Sequence, residues 1–174
     1  FDDRNISNIL NLSVDESIYF FERNNEMKIA KKIKSLQKVG LGYINLGQSS
    51  NTLSGGEAQR IKLALFLSKG NTAEKTIFIF DEPTTGLHFH DINKLVNSFY
   101  SLIEKGHTII CIEHNMDVIK CADWIIDLGP EGGDKGGQIV FEGTPEKIIK
   151  SKKSITGEYL KKNLTTYNLN SFVK

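Results

Sequence analysis

Apolar positions recur first at helical spacing and later in short unbroken runs. "SVDE", Ser13 to Glu16, has the spacing of a capping box, in which a Ser and a Glu side chain each accept from the other's backbone N–H. It opens an amphipathic run through Ile18 and Phe21. A second helix is predicted over about Glu26 to Val39, with Ile29, Ile33 and Leu36 on one face and lysines on the other. "GLGYINLGQSSN" reads as loop and turn, and a further helix follows from about Gly55 to Ser68. From Thr76 the pattern changes to strand alternating with helix. "TIFIF" and "HTIICIE" are apolar runs of the kind expected of strands buried on both faces. Between them "DINKLVNSFYSLIEK" is helical, ended by Gly106 in a C-cap position. "NMDVIKCA" is a short helix and "DWIIDL" a third strand. The glycine-rich "GPEGGDKGG" leads into "QIVFEG", so the last two strands are expected to pair as a hairpin. "TPEKIIKS" reads as a helix with Thr144 as N-cap and Pro145 at its first position. This order predicts an α/β fold: a mainly parallel sheet flanked by helices, with an N-terminal helical segment before it.

Composition narrows the picture only a little. A chain of 174 residues can bury one ordinary core, and its net charge of +1 makes no global demand for a nucleic-acid or membrane partner. The lysine-dense stretch Lys147 to Lys162 reads as a solvated helix and tail rather than a DNA-binding stripe. Cys111 and Cys121 form no CxxC pair, so no zinc site is expected, and a reducing, cytoplasmic setting fits. The apolar runs are too short to span a bilayer. The chain begins with Phe1 rather than Met, which reads as a piece of something longer.

Three stretches carry candidate chemistry. In an open α/β sheet, ligands sit beyond the carboxyl ends of the strands. "TIFIFDEPTTGLH" ends its strand on Asp81 and Glu82, after which Pro83 turns the chain out of the sheet. An acidic pair there suits a Mg²⁺-nucleotide site: Asp81 for a Mg²⁺-bound water, Glu82 as general base on the attacking water. The plainer reading is that both cap the next element, with Thr84 and Thr85 filling out a turn. "TIICIEHN" places His114 at the next strand end, where an imidazole could bond a terminal phosphate or its attacking water. A lone His there is more often structural, and only the neighbouring carboxylates raise it above that. Third, "LSGGEAQ" puts Ser54, Gly55 and Gly56 at a helix N-terminus, whose unpaired N–H groups favour anions. An ordinary N-cap with a flexible turn is the competing reading.

Taken together, "LSGGEAQ", "FIFDEPTTGLH" and "CIEH" resemble the signature, Walker B, D-loop and H-loop series of ABC-type ATPases. The finer resemblance is to the UvrA family, the damage-recognition ATPases of bacterial nucleotide excision repair. It rests on "VGLGYINLGQSSNTLSGGEAQRIKLA", "DEPTTGLHFHDI", "IEHNMDVIKCADWIIDLGPEGGDKGGQIVFEGTP" and "TGEYL", and it covers Asn5 to Leu160. It implies the C-terminal part of an ABC-type nucleotide-binding domain. On this pattern residues 1–50 are a helical segment leading to the signature loop, 51–164 the ATPase core, and 165–174 a flexible tail. Ser54, Gly55 and Gly56 become the signature loop, which Glu57 and Gln59 continue. Asp81 and Glu82 become the Mg²⁺-supporting and catalytic carboxylates, Gly86, Leu87 and His88 the D-loop, and His114 the switch histidine. The stretch from Trp124 to Pro130 is assigned to packing.

The resemblance also implies ATP and Mg²⁺ as ligands, with zinc confined to family elements outside this chain. Implied partners are damaged duplex DNA, a UvrB-like protein, the N-terminal ATPase half of the same chain and a second copy at full length. One departure bears on mechanism: no G-x-x-x-x-G-K-[ST] string occurs, so the Walker A cradle for the phosphates is not in this sequence. Lys135 in "GPEGGDKGG" is followed by Gly136 and does not supply it. The segment alone is therefore expected to hydrolyse nothing, and to be marginally stable or to associate through an exposed sheet edge. A UvrA-like antibiotic-resistance protein, a transporter motor and a non-catalytic binding module are the alternatives. "TTGLHFHD" argues against the second, and Glu82 with His114 against the third.

Overall fold

Ser13 and Glu16 close the reciprocal cap that their spacing predicts. The Ser13 N–H donates to Glu16 Oε2 at 2.8 Å, and the Glu16 N–H donates to Ser13 Oγ at 3.2 Å. In the computed structural model, which describes residues 1–68, 74–133 and 136–166, this cap starts helix α2, Val14–Arg23. Before it lies α1, Ile6–Leu10, a five-residue helix that periodicity does not reveal. Asn5 and Asn8 cap α1 in the same reciprocal way. Helix α3, Met27–Lys38, follows, then turns through residue 49, a short 3₁₀ turn at Ser50–Thr52 and helix α4, Gly55–Ser68. The loop after α3 runs back along the start of α2. Val14 donates to the Ile44 carbonyl at 2.8 Å, Asp15 to Gly42 at 3.0 Å, and Leu46 to Leu12 at 3.0 Å.

Strand β1, Ile77–Asp81, connects through helix α5, Phe89–Ile103, to strand β2, Thr108–Ile112. The two strands pair in parallel, with Ile77 opposite Thr108 and Asp81 opposite Ile112. Gly106 ends the connection as predicted, at φ 84°, and the His107 N–H donates back to the Leu102 carbonyl. The core takes one face of this pair. Phe80 packs on Phe99 of α5 at 4.9 Å between ring centroids, and Phe78 meets Phe66 of α4 edge-on at 4.7 Å. Val14, Ile18, Val39, Leu41, Leu63, Leu95 and Leu102 complete the same buried cluster. The expectation of burial on both faces fails here. Ile77 and Ile79 are 64% and 67% exposed, and Ile110 and Ile112 are 50% and 55% exposed. The reason is the period of two along a strand: alternate side chains point away from α4 and α5, and no other described element of this unit covers that face.

The chain divides into two compact units, Phe1–Glu113 and His114–Lys174. The second unit carries helix α6, Met116–Ile119, strands β3, Ile125–Gly129, and β4, Gln138–Gly143, and helices α7, Pro145–Ile148, and α8, Ile155–Thr166. β3 and β4 form the expected antiparallel hairpin, with a register shift at Asp127/Leu128. The described strands thus make a small parallel sheet, β1 with β2, flanked by helices as expected, and the antiparallel pair of β3 with β4. Ile148, Leu160 and Leu164 form the core of this unit, packed by Met116, Ile125 and Phe141. Asp127 accepts from Ser154 Oγ at 2.5 Å and Thr156 Oγ1 at 2.8 Å, fixing the start of α8 to β3. The stretch assigned to packing is divided: Ile125 joins this core, while Trp124 is 57% exposed. Lys135, and the tail expected over 165–174 from residue 167 onward, lie outside the described residues.

The one-sided burial of β1 is directly testable by urea unfolding of this chain. Phe80→Ala, on the buried face of the strand, should lose about 3–5 kcal/mol. Ile79→Ala should lose less than about 1 kcal/mol, because most of its side chain is already in water. Equal losses at the two positions would overturn this assignment of the faces.

Candidate functional site

The candidate residues of the first unit converge because α4 is docked on the carboxyl end of β1. On α4, Gly56, Arg60, Leu63 and Ala64 are buried, a helical stripe in which one position is a cation. Gly56 lets the helix approach closely. A Cβ there would lie 3.2 Å from the Thr85 carbonyl oxygen and 3.3 Å from that of Glu82, so any side chain would require the helix or the turn to give by a few tenths of an ångström. One turn on, Arg60 is fully buried and donates through Nη1 to the carbonyls of Pro83 and Thr85 and through Nη2 to Tyr43 Oη. Its Nε has no hydrogen-bond partner among the described residues. Burial pulls the pKa of this guanidinium down, and Tyr43, Glu57 and Asp91 act in the opposite sense. On the exposed side of the stripe, Gln59 grips the main chain of Asp81 with both ends of its amide. Nε2 donates to the Asp81 carbonyl at 2.8 Å, and Oε1 accepts from the Asp81 N–H at 3.1 Å.

The acidic pair itself is set by backbone geometry. Asp81 faces outward opposite Ile112, since Phe80 before it points into the core. Glu82 donates from its N–H to the Ile112 carbonyl at 2.9 Å, which extends the ladder by one bond. It then turns the chain with φ 46°, a left-handed conformation that is costly for any residue with a Cβ. Pro83 is fully buried behind it. Two overlapping turns follow, Thr85 N–H to the Glu82 carbonyl and Leu87 N–H to that of Thr84, with Gly86 at φ 77°. Thr84 also donates to Glu113 Oε1 at 2.9 Å, a carboxylate from the end of β2. His88 is the N-cap residue of α5, and its carbonyl accepts from Asp91.

At the start of α4, Ser54 and Glu57 form a second capping box. The Ser54 N–H donates to Glu57 Oε2 at 2.8 Å, and the Glu57 N–H donates to Ser54 Oγ at 3.2 Å. Because Ser54 Oγ accepts from inside the loop, its hydroxyl proton is left to face an external acceptor. Nothing lies within 4 Å of a Cβ built on Gly55, so the loop is open at that residue, at the start of a 14-residue helix. An anion fits such a loop, and an exposed carboxylate at the strand end, Asp81, fits a hydrated divalent cation. Ser54, Gly55, Gly56, Glu57, Gln59, Asp81, Glu82, Gly86 and His88 thus belong to one unit. His114, two residues beyond Ile112, opens the other.

Sequence reading missed Tyr43, Arg60 and Glu113. Arg60 gave a faint signal, a cation at i+4 from Gly56 on the helix face that carries Leu63 and Ala64. Cys111, half-buried in β2, is no candidate nucleophile, since burial and then Glu113 push its thiol up to about 12.

Two stability predictions follow from these contacts. Arg60→Met should cost about 1–3 kcal/mol by leaving the carbonyls of Pro83 and Thr85 without a donor, and a neutral result by urea unfolding would show the clamp to be dispensable. The Glu57 carboxyl is held below the usual carboxylate range, first by the Tyr43 hydroxyl and then by the Ser54 N–H, with burial opposing. Its contribution is therefore complete above the ordinary carboxylate pKa and lost as pH falls through the depressed value. Glu57→Gln should flatten the acid limb of the stability profile, and an unchanged limb would refute this.

No family model matches the chain. Among curated proteins, the UvrABC system protein A of Clostridium perfringens is 60% identical over 161 residues, which are 92% of this chain and 17% of that protein. The UvrABC system protein A of Aquifex aeolicus is 56% identical over 161 residues, with the same coverage of 92% and 17%. In structure, the chain is similar to UvrA2 from Deinococcus radiodurans, with a TM-score of 0.76 and 41% identity, covering 93% of this chain and 20% of that one. The chain therefore spans less than a fifth of the length of the curated relatives it matches. Identity above one half over nearly the whole chain, joined to this fold, makes the chain similar to one segment of UvrABC system protein A.

Proposed function

We propose that this segment is the signature and Walker B part of a UvrA-type ATPase that recognises DNA damage in bacterial nucleotide excision repair. The observation that carries this is the docking of α4 on β1, which brings the glycine loop at the start of the helix and the acidic strand end into one unit. The two features serve different nucleotides. Ser54, Gly55 and Gly56 offer donors to the terminal phosphate held by another nucleotide-binding unit, with Glu57 and Gln59 holding the loop in shape. At the second nucleotide, Asp81 would hold Mg²⁺ through a water, and the ion when bound neutralises charge on the phosphates. Glu82 takes the proton of the attacking water on its carboxylate, and His114, in the second unit, keeps the switch-histidine role of the family pattern. Gly86 and His88 belong to the D-loop, which would meet the other nucleotide-binding domain.

With no Walker A string in the sequence, this segment completes sites rather than forming one, and alone it turns over no ATP. Damaged duplex DNA, a UvrB-like protein, the N-terminal ATPase half and a second copy of the full-length chain are the partners of this reading. It is supported by the names of the relatives, each a UvrABC system protein A.

ATP turnover of the full-length chain containing this segment, with and without damaged duplex, tests the proposal. Glu82→Gln should lower turnover at least about 100-fold while nucleotide still binds, and turnover of the unsubstituted protein should respond to DNA. Loss on substitution without a DNA response would move the assignment to a resistance-type paralogue. Unchanged turnover would make this half a binding module.

A further inference from the structure

Tyr43 occupies a position that no signature or Walker pattern calls for. Its loop is pinned on both sides, by Gly42 and Ile44 accepting from Asp15 and Val14. The ring is 48% exposed, so packing alone makes small use of it. Its hydroxyl, by contrast, is committed twice: it donates to Glu57 Oε1 at 2.5 Å and accepts from Arg60 Nη2 at 3.4 Å. The other Glu57 oxygen holds the Ser54 N–H, and the other Arg60 nitrogen holds the carbonyls of Pro83 and Thr85, on either side of Thr84 and directly after Glu82. A continuous polar chain therefore runs from Ser54 through Glu57, Tyr43 and Arg60 to the turn that aims Glu82.

We propose that Tyr43 is a positioning residue of the ATPase, whose hydroxyl joins the signature loop to the turn carrying Glu82 so that the two set each other's geometry. This rests on the reading of the site given above. Glu57 and Arg60 lie on the same helix, one turn apart, but each works on a different element: Glu57 on the loop, Arg60 on the turn. Among the described residues Tyr43 is the only group bonded to both, and it enters from a separate segment of the chain. Removing the hydroxyl leaves each half of the site intact and cuts the connection between them. Turnover should then suffer while ATP binding does not.

The test is steady-state ATP turnover of the full-length chain containing this segment, carrying Tyr43→Phe, Glu57→Gln, both, or Glu82→Gln. Tyr43→Phe should lower kcat by about three- to tenfold with KM for ATP changed less than about twofold. The double variant should fall no further than the worse single one, since both cut the same connection. A Tyr that only packs would lower the melting temperature without this split between kcat and KM. Unchanged kcat in Tyr43→Phe, or multiplied effects in the double variant, would overturn the proposal while Glu82→Gln remains inactive. Full turnover by Glu82→Gln would instead overturn the underlying reading, and the positioning role with it.

Discussion

The contact on which the first unit depends is a fully buried guanidinium set against main-chain carbonyls. Taking a cation out of water is costly unless its donors are used. Arg60 spends them on Pro83, Thr85 and Tyr43. The requirement is mutual. The chain leaves the sheet at Pro83, which has no N–H, and crosses to α5 in tight turns whose inward carbonyls need donors that secondary structure does not supply. An apolar residue at position 60 would fill the volume and leave those carbonyls unmet. The helix that begins at the glycine loop and the turn that follows the acidic pair are therefore parts of one polar core.

Around this clamp the sheet register does the rest. Parallel pairing of β1 with β2 puts Phe78 and Phe80 inward and their neighbours outward, so Asp81 emerges on the solvent side by the same alternation that exposes Ile77 and Ile79. Glu82 would fall back toward the core if the strand continued. The left-handed turn at that residue interrupts the alternation and brings two consecutive carboxylates to the strand end, both exposed.

Much of this could be read in the residues, and the misses have physical causes. Caps written in short-range chemistry were legible: Ser13 with Glu16, and Gly106 after α5. Helix α1 was not, because five residues are too few to show a period, and its Asn5–Asn8 box uses residues equally at home in turns. The strands were found but not their uncovered face, since an unbroken apolar run gives no sign of which side is packed. At the candidate site, Ser54 to Gln59 and Asp81 to His88 stood out by motif. Arg60 looked like one more helix residue, because what buries it is a turn 23 residues away. Tyr43 gave no sign at all: its partners depend on how the 42–47 loop folds back on α2, which no local pattern specifies.

The backbone at Glu82 has a consequence for how substitutions of this residue compare. An L-residue held at φ 46° sacrifices roughly 1 kcal/mol, and glycine alone escapes that penalty. Charge-neutralising exchanges at this position keep the strained turn and change only the side chain. A glycine would abolish the carboxylate and also relax the peptide that aims it, so it reports two losses as one. Variants made by the two routes are therefore not interchangeable, and a gain in stability is the signature of the second.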